Sequence, residues 1–100
     1  MQAKEIIRIL IVDDHAIVRE GLKQILSDDE HLVVEGEAET AAEAIHLTRD
    51  KDFDLVLLDI SLPDRNGLEL LEALKKAHPK LSILMLSMYR ETQYAVRAIK

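Results

Sequence analysis

Three stretches of this chain are apolar almost without interruption, and each gives way abruptly to polar residues. They are Ile6-Ile7-Arg8-Ile9-Leu10-Ile11-Val12 before Asp13-Asp14-His15, Asp54-Leu55-Val56-Leu57-Leu58-Asp59, and Leu81-Ser82-Ile83-Leu84-Met85-Leu86-Ser87. A strand with one wet face alternates apolar and polar side chains, and these stretches do not. They predict strands buried on both faces, as in a parallel sheet sandwiched between helices.

The segments between them have helical spacing. Val18, Leu22, Ile25 and Leu26 recur at three- and four-residue steps, so a first helix is expected from about His15 to Leu26, with Asp13 or Asp14 accepting its first free amide protons. His31 to Gly36 reads as a second, shorter strand. Thr40-Ala41-Ala42-Glu43 is a capping-box pattern opening a second helix through about Arg49. Pro63 and the Asn66-Gly67 pair shape a loop from Ile60 to Asn66. A third helix from Gly67 to Ala77 stops before Pro79, because residues ahead of proline avoid helical angles. Arg90 to Lys100 has the pattern of a fourth helix, and the sequence ends inside it. Four βα units in a row imply an α/β fold with helices on both faces of a parallel sheet.

Composition narrows the chemistry. One hundred residues with 48% hydrophobic and 32% charged side chains suit one small domain. The absence of cysteine excludes disulfide scaffolds, Cys-bearing zinc sites and thiol nucleophiles. Thirteen Lys and Arg against nineteen Asp and Glu, a net charge of -6, argue against a nucleic-acid or acidic-membrane grip by the domain as a whole. Neither a membrane-spanning run nor a signal-peptide pattern is present, so the expected location is cytoplasmic.

The acidic residues at strand ends carry the functional argument. Asp13 and Asp14 follow the first strand and Asp59 ends the third. In open α/β sheets the working crevice lies outside the carboxyl ends of the strands. If the first and third strands are neighbours, the three carboxylates converge and repel one another. A divalent cation relieves that repulsion, and all-oxygen ligands suit Mg²⁺, which leaves room for a phosphate. Each residue alone also has a bland role, as a helix cap or a polar strand end. Those roles do not explain why all three fall at the same end of the sheet.

Taken together, Ile-Leu-Ile-Val-Asp13-Asp14-His15, Leu55-Val-Leu-Leu-Asp59-Ile-Ser-Leu-Pro63-Asp-Arg-Asn-Gly67 and Ile83-Leu-Met-Leu-Ser87-Met-Tyr resemble the receiver domain of bacterial two-component response regulators. The resemblance covers residues 1–100. His15, Val18-Arg19-Glu20-Gly21-Leu22 and Leu86-Ser87-Met88-Tyr89 resemble the NarL/FixJ (LuxR-type) subfamily in particular. It implies a flavodoxin-like, doubly wound sheet of order 2-1-3-4, truncated before a fifth βα unit. By right-handed crossovers the first helix then covers one face, and the second, third and fourth cover the other.

The resemblance also implies roles. Asp59 is the expected phosphoacceptor from a sensor histidine kinase. Asp14, the Asp59 carboxylate and the Ser61 backbone carbonyl are the expected Mg²⁺ ligands, with Asp13 acting mainly through water on the metal. Ser87 is expected to turn its hydroxyl toward a phosphoryl oxygen, and Pro63 and Gly67 to shape the loop. The family's Lys at the end of a fifth strand has no counterpart here, and Lys100 does not take its place. The DNA-binding helix-turn-helix domain usual in the subfamily is likewise absent from these 100 residues, so DNA is an expected partner only of a longer protein.

With one helix over four strands, Leu57 or Leu58 and alternate residues of the fourth strand are expected to meet water. The open edge of that strand predicts low stability and pairing with a second copy, including element exchange. Two other readings compete: an interaction module that is never phosphorylated, and a haloacid-dehalogenase-like phosphatase. The latter needs a second Asp two residues after the nucleophile, where this chain has Ser61. A dinucleotide site lacks its Gly-rich loop. His15 follows the acidic pair and could serve as a ligand or base, but the expected place is the start of the first helix, facing solvent near the pocket rim. His31, His46 and His78 are expected at ordinary surface positions, and Met85 and Met88 in packing roles.

Overall fold

The structure is a computed structural model and describes residues 5–86. In chain order it contains β1 (Ile7–Val12), α1 (Ala16–Leu26), β2 (Leu32–Ala38), α2 (Ala41–Asp50), β3 (Leu55–Asp59), α3 (Gly67–Ala77) and β4 (Ser82–Leu86). The strands form one parallel sheet of order β2-β1-β3-β4. The expected fold class and strand order hold. The expected fourth helix, Ser87 and Met88 lie outside the described residues.

Both faces of the sheet are covered, which is why the strands could abandon alternation. Leu10, Val12, Val56, Leu58, Ile83 and Met85 point to one side and pack with Ala41, Ala44, Leu70 and Leu74 of α2 and α3. Ile9, Ile11 and Leu57 point to the other and meet Leu22 and Leu26 of α1. For the three described helices this is the expected division between faces. Leu57, however, is buried at 5% exposure, as is Leu58 at 0%. The expectation that one of them meets water is corrected: Leu57 is shielded by Ile9, Ile11 and the α1 leucines. Leu84 and Leu86 on that face are half-buried.

The element ends follow from local chemistry. Thr40 accepts the Glu43 amide proton through its Oγ1 at 3.1 Å, and the Glu43 carboxylate reaches back to the Glu39 amide at 2.7 Å. The capping box is therefore real, displaced by one residue on its return arm. Asn66 caps α3 by accepting the Leu68 amide proton at 2.7 Å. β2 runs two residues past Gly36, to Ala38, because its pairing with β1 shifts register between Ile9 and Leu10 and resumes at Gly36. That shift carries the strand far enough for the Ala38 carbonyl to accept the Asp13 amide proton at 2.9 Å. The end of β1 is thereby anchored where the acidic residues begin.

Candidate functional site

β1 and β3 are adjacent, with Val12 opposite Leu58, so the residues just beyond them share one crevice at the carboxyl end of the sheet. Asp13, Asp14, His15 and Asp59 each offer a ligand atom there, and those atoms all lie within 4.8 Å of one another. Asp13 and Asp59 are both buried, at 2% exposure. Asp14 is exposed. The convergence expected from the strand order is thus present.

Several groups order the surroundings of these carboxylates. The Arg19 guanidinium donates to the Asp13 carbonyl at 2.7 Å and to Glu37 at 2.9 Å, tying α1 to the ends of β1 and β2. Lys23 also bonds Glu37, at 2.8 Å, and this pairing holds the Glu37 carboxyl below its ordinary range. Ser61, two residues beyond Asp59, donates its amide proton to Asp59 Oδ1 at 3.3 Å. The other oxygen, Oδ2, is buried with no hydrogen-bond partner. Burial, and then the charge of Asp13, push the Asp59 carboxyl above the ordinary carboxylate range. An orphaned oxygen among carboxylates is what a hard cation would satisfy, so the residues present fit a divalent ion.

Asp13 does not cap α1 as expected. Its Oδ1 accepts the amide proton of His15, the residue before the helix, at 2.8 Å, and His15 itself makes no side-chain cap. Its carboxylate faces the crevice instead. The His15 imidazole follows it: Nδ1 lies 2.7 Å from Asp13 Oδ1 and 3.1 Å from Asp14 Oδ1. Its hydrogen bond to Asp13 and the charge of Asp14 raise its pKa. Sequence reasoning placed this residue correctly at the helix start but did not bring its ring into the cluster. Its position directly after the acidic pair was the available signal.

The loop after Asp59 is also held from outside. Asp64 accepts the Ala41 and Ala42 amide protons at 2.9 and 3.1 Å, capping α2 across the crevice. Those amides, Ala41 first, hold the Asp64 carboxyl below its ordinary range. A carboxylate with a depressed folded pKa stabilises the fold above the unfolded pKa and loses that contribution as pH falls through the folded one. Asp64→Ala is therefore expected to lower the melting temperature at neutral pH. The gap from wild type should close in acid, as followed by circular dichroism.

A cavity of about 620 Å³ lies at the opposite end of the sheet, beside Phe53, Asp54 and Leu81. It shares no residue with the acidic crevice. His31 and His46 sit at the surface beside Asp29 and Asp50, as expected.

Comparison with known proteins matches the same arrangement. The family model for the response regulator receiver domain aligns with residues 9–100. The chain belongs to the response regulator receiver domain family. Among proteins similar to this receiver domain, the nitrate/nitrite response regulator NarL of Escherichia coli K12 is 36% identical over 100 residues, covering 100% of this chain and 46% of NarL. The transcriptional regulatory protein YdfI of Bacillus subtilis is 34% identical over 93 residues, covering 93% of this chain and 43% of YdfI. The chain thus spans less than half the length of these curated relatives. Among solved structures, the isolated receiver domain of RcsB from Salmonella enterica serovar Typhimurium, determined with the phosphomimetic BeF₃⁻, superposes with a TM-score of 0.82 at 30% identity. It covers 87% of this chain and 65% of that one. A LuxR-family response regulator from an Aurantimonas species gives 0.81 at 33% identity, covering 91% of this chain and 65% of its own. Among the described residues, no helix is long and apolar enough to cross a membrane.

Proposed function

We propose that this receiver domain is a signalling switch, phosphorylated on Asp59 by a sensor histidine kinase in the cytoplasm. In a longer protein of the NarL/LuxR type it controls a DNA-binding output domain in transcription. The observation that carries this reading is the orphaned Asp59 Oδ2, buried within reach of two further carboxylates. Domain extent, site roles and partners all follow from that assignment. Residues 1–100 are one receiver domain, and its partners are the kinase and a second copy of itself.

The chemistry is displacement at phosphorus: an Asp59 carboxylate oxygen forms the new P–O bond as the P–N bond of a phosphohistidine breaks. A carboxylate is a weak nucleophile, so catalysis lies in position and in neutralised charge. Asp14, Asp59 and the Ser61 backbone carbonyl would hold Mg²⁺, with Asp13 assisting from beside it. When bound, Mg²⁺ supplies the positive charge that lets phosphoryl oxygens approach a carboxylate. Two contacts made by the chain's own residues support this reading. Ser61 fixes Asp59 Oδ1, leaving Oδ2 toward the crevice, and Arg19 fixes the Asp13 backbone. Ser87, outside the described residues, takes the role of hydrogen-bonding the new phosphoryl group and switching with it.

Incubation with Mg²⁺ and a small acyl phosphate, read by intact mass, tests this. The expected product is a single phosphoryl adduct that requires Mg²⁺ and is absent from Asp59→Asn. Sustained release of phosphate over many turnovers would instead indicate a phosphatase, and no adduct on a full-length version would refute the switch.

A further inference from the structure

The loop that follows Asp59 is a small closed unit. Ser61 and Asn66 face each other in an antiparallel bridge, and the Gly67 amide donates to the Ile60 carbonyl at 2.8 Å. Asp64 stands at the tip of that loop and reaches out of it. Its Oδ1 accepts the Ala41 amide proton at 2.9 Å and its Oδ2 the Ala42 amide proton at 3.1 Å. The first amides of a helix have no partner within it. At the start of α2, Thr40 takes only that of Glu43, at 3.1 Å, and the two before it go to Asp64. Ala41 and Ala44 are buried in the core beneath, so the start of α2 is a firm anchor. Leu62, half-buried against the same core, holds the near side of the loop, and Asp64 holds its tip.

Both ends of the loop bear on Asp59. Ser61, on one side of the bridge, donates its amide proton to Asp59 Oδ1 at 3.3 Å and carries the carbonyl assigned to Mg²⁺. Gly67, just past the other side, packs so closely that a Cβ there would stand 2.6 Å from the Asp59 carbonyl oxygen. We propose that Asp64 is a positioning residue of the phosphoacceptor site: by docking loop 61–66 on α2 it fixes Ser61, and through Ser61 the affinity for Mg²⁺. The inference rests on the reading of Asp59, Asp14 and Ser61 as a cation site, and adds to it a residue that touches neither metal nor phosphorus. Mg²⁺ demands near-ideal octahedral geometry, so losing a group that orients one of its ligands costs about 10–100-fold in affinity.

The test is calorimetric titration of the untagged chain with Mg²⁺ at neutral pH. It compares wild type, Asp64→Ala, Asp64→Asn, Thr40→Ala and Asp59→Asn, with thermal melts to confirm that each is folded. Thr40→Ala removes the other cap of the same helix without touching the loop, so it carries the loss of stability alone. Asp64→Asn removes the same charge as Asp64→Ala but keeps an acceptor oxygen suited to a helix start, so it separates docking from charge. The expected result is a fall of about tenfold in Mg²⁺ affinity for Asp64→Ala, against about threefold or less for Asp64→Asn and Thr40→Ala. Backbone amide NMR of the metal-free protein gives a second readout: the Ser61 signal should shift in Asp64→Ala and stay in place in Thr40→Ala. An affinity of Asp64→Ala no lower than that of Thr40→Ala, or matched by that of Asp64→Asn, overturns the proposal. In that event, Mg²⁺ binding that is lost in Asp59→Asn leaves the phosphoacceptor reading standing. Mg²⁺ binding unaffected by Asp59→Asn overturns that reading and the inference together.

Discussion

Asp59→Asn should melt several degrees above wild type at neutral pH with no divalent cation present, while losing phosphoryl uptake completely. The two effects share a cause. Asp59 is buried beside Asp13, its Oδ2 has no hydrogen-bond partner, and these surroundings raise its pKa. With the folded pKa above the unfolded one, the folded state holds more protons in the interval between them. Stability therefore falls as pH rises through that interval, and the penalty is complete above the folded pKa. Below the ordinary carboxylate range the penalty is absent. Asn removes the charge that carries it, so the difference between the two proteins should appear at neutral pH and vanish in acid. In a domain of this size a change of about 1 kcal/mol moves the melting temperature by about 4–8 °C. Added Mg²⁺ should reverse the ranking by stabilising wild type alone, by about 2.7 kcal/mol at one hundred times its Kd. Calorimetric melts across pH, with and without Mg²⁺, check both halves. Equal stabilisation of both proteins by Mg²⁺ would contradict the explanation.

Gly67→Ala should be the most damaging small substitution in the loop beside the acceptor. A Cβ at position 67 would stand 2.6 Å from the Asp59 carbonyl oxygen and 2.8 Å from both the Ile60 Cα and its carbonyl oxygen. All three are backbone atoms, and the Gly67 amide already donates to the Ile60 carbonyl at 2.8 Å. No side chain can swing aside, so either the start of α3 or the end of β3 must move. Overpacking of this kind costs about 3 kcal/mol, toward the high side of the usual range because the obstruction is main chain. One of the displaced atoms belongs to Asp59, the proposed phosphoacceptor, and the other two to the residue after it, so Mg²⁺ affinity should fall along with stability. Gly21 supplies the control. A Cβ there meets nothing within 4 Å, and Gly in a helix interior is inferior to Ala, so Gly21→Ala should stabilise by about 0.5–1 kcal/mol. Urea unfolding of both variants measures the contrast.

The fold was legible because its strands are buried on both faces, so that residues such as Ile9 to Val12 and Val56 to Leu58 form short apolar runs bounded by polar residues. The acidic cluster was legible because strand ends converge once the strand order is known. Contacts between distant segments were not. Asp64 caps a helix 23 positions back in the chain, and nothing near Asp64 signals that partner. Arg19 entered the sequence reading only as part of a resemblance, yet its guanidinium closes on the carbonyl of Asp13. The cap expected from Asp13 or Asp14 was a local inference. It failed because the Asp13 carboxylate is turned into the crevice, where burial and His15 claim it. Leu57 or Leu58 was expected to be wet because helices were counted against strands, and Leu57 is the one on the α1 face. Its strand neighbours and the two α1 leucines close over it instead.

Substoichiometric Mn²⁺, followed by backbone amide NMR, asks most directly whether one ion sits among the three carboxylates. The amide signals of Asp13, Asp14, Asp59 and Ser61 should broaden before any others, and in Asp59→Asn the same broadening should need far more metal. Broadening that begins at the other acidic run, Asp28-Asp29-Glu30, or that is indifferent to Asp59→Asn, would contradict the account.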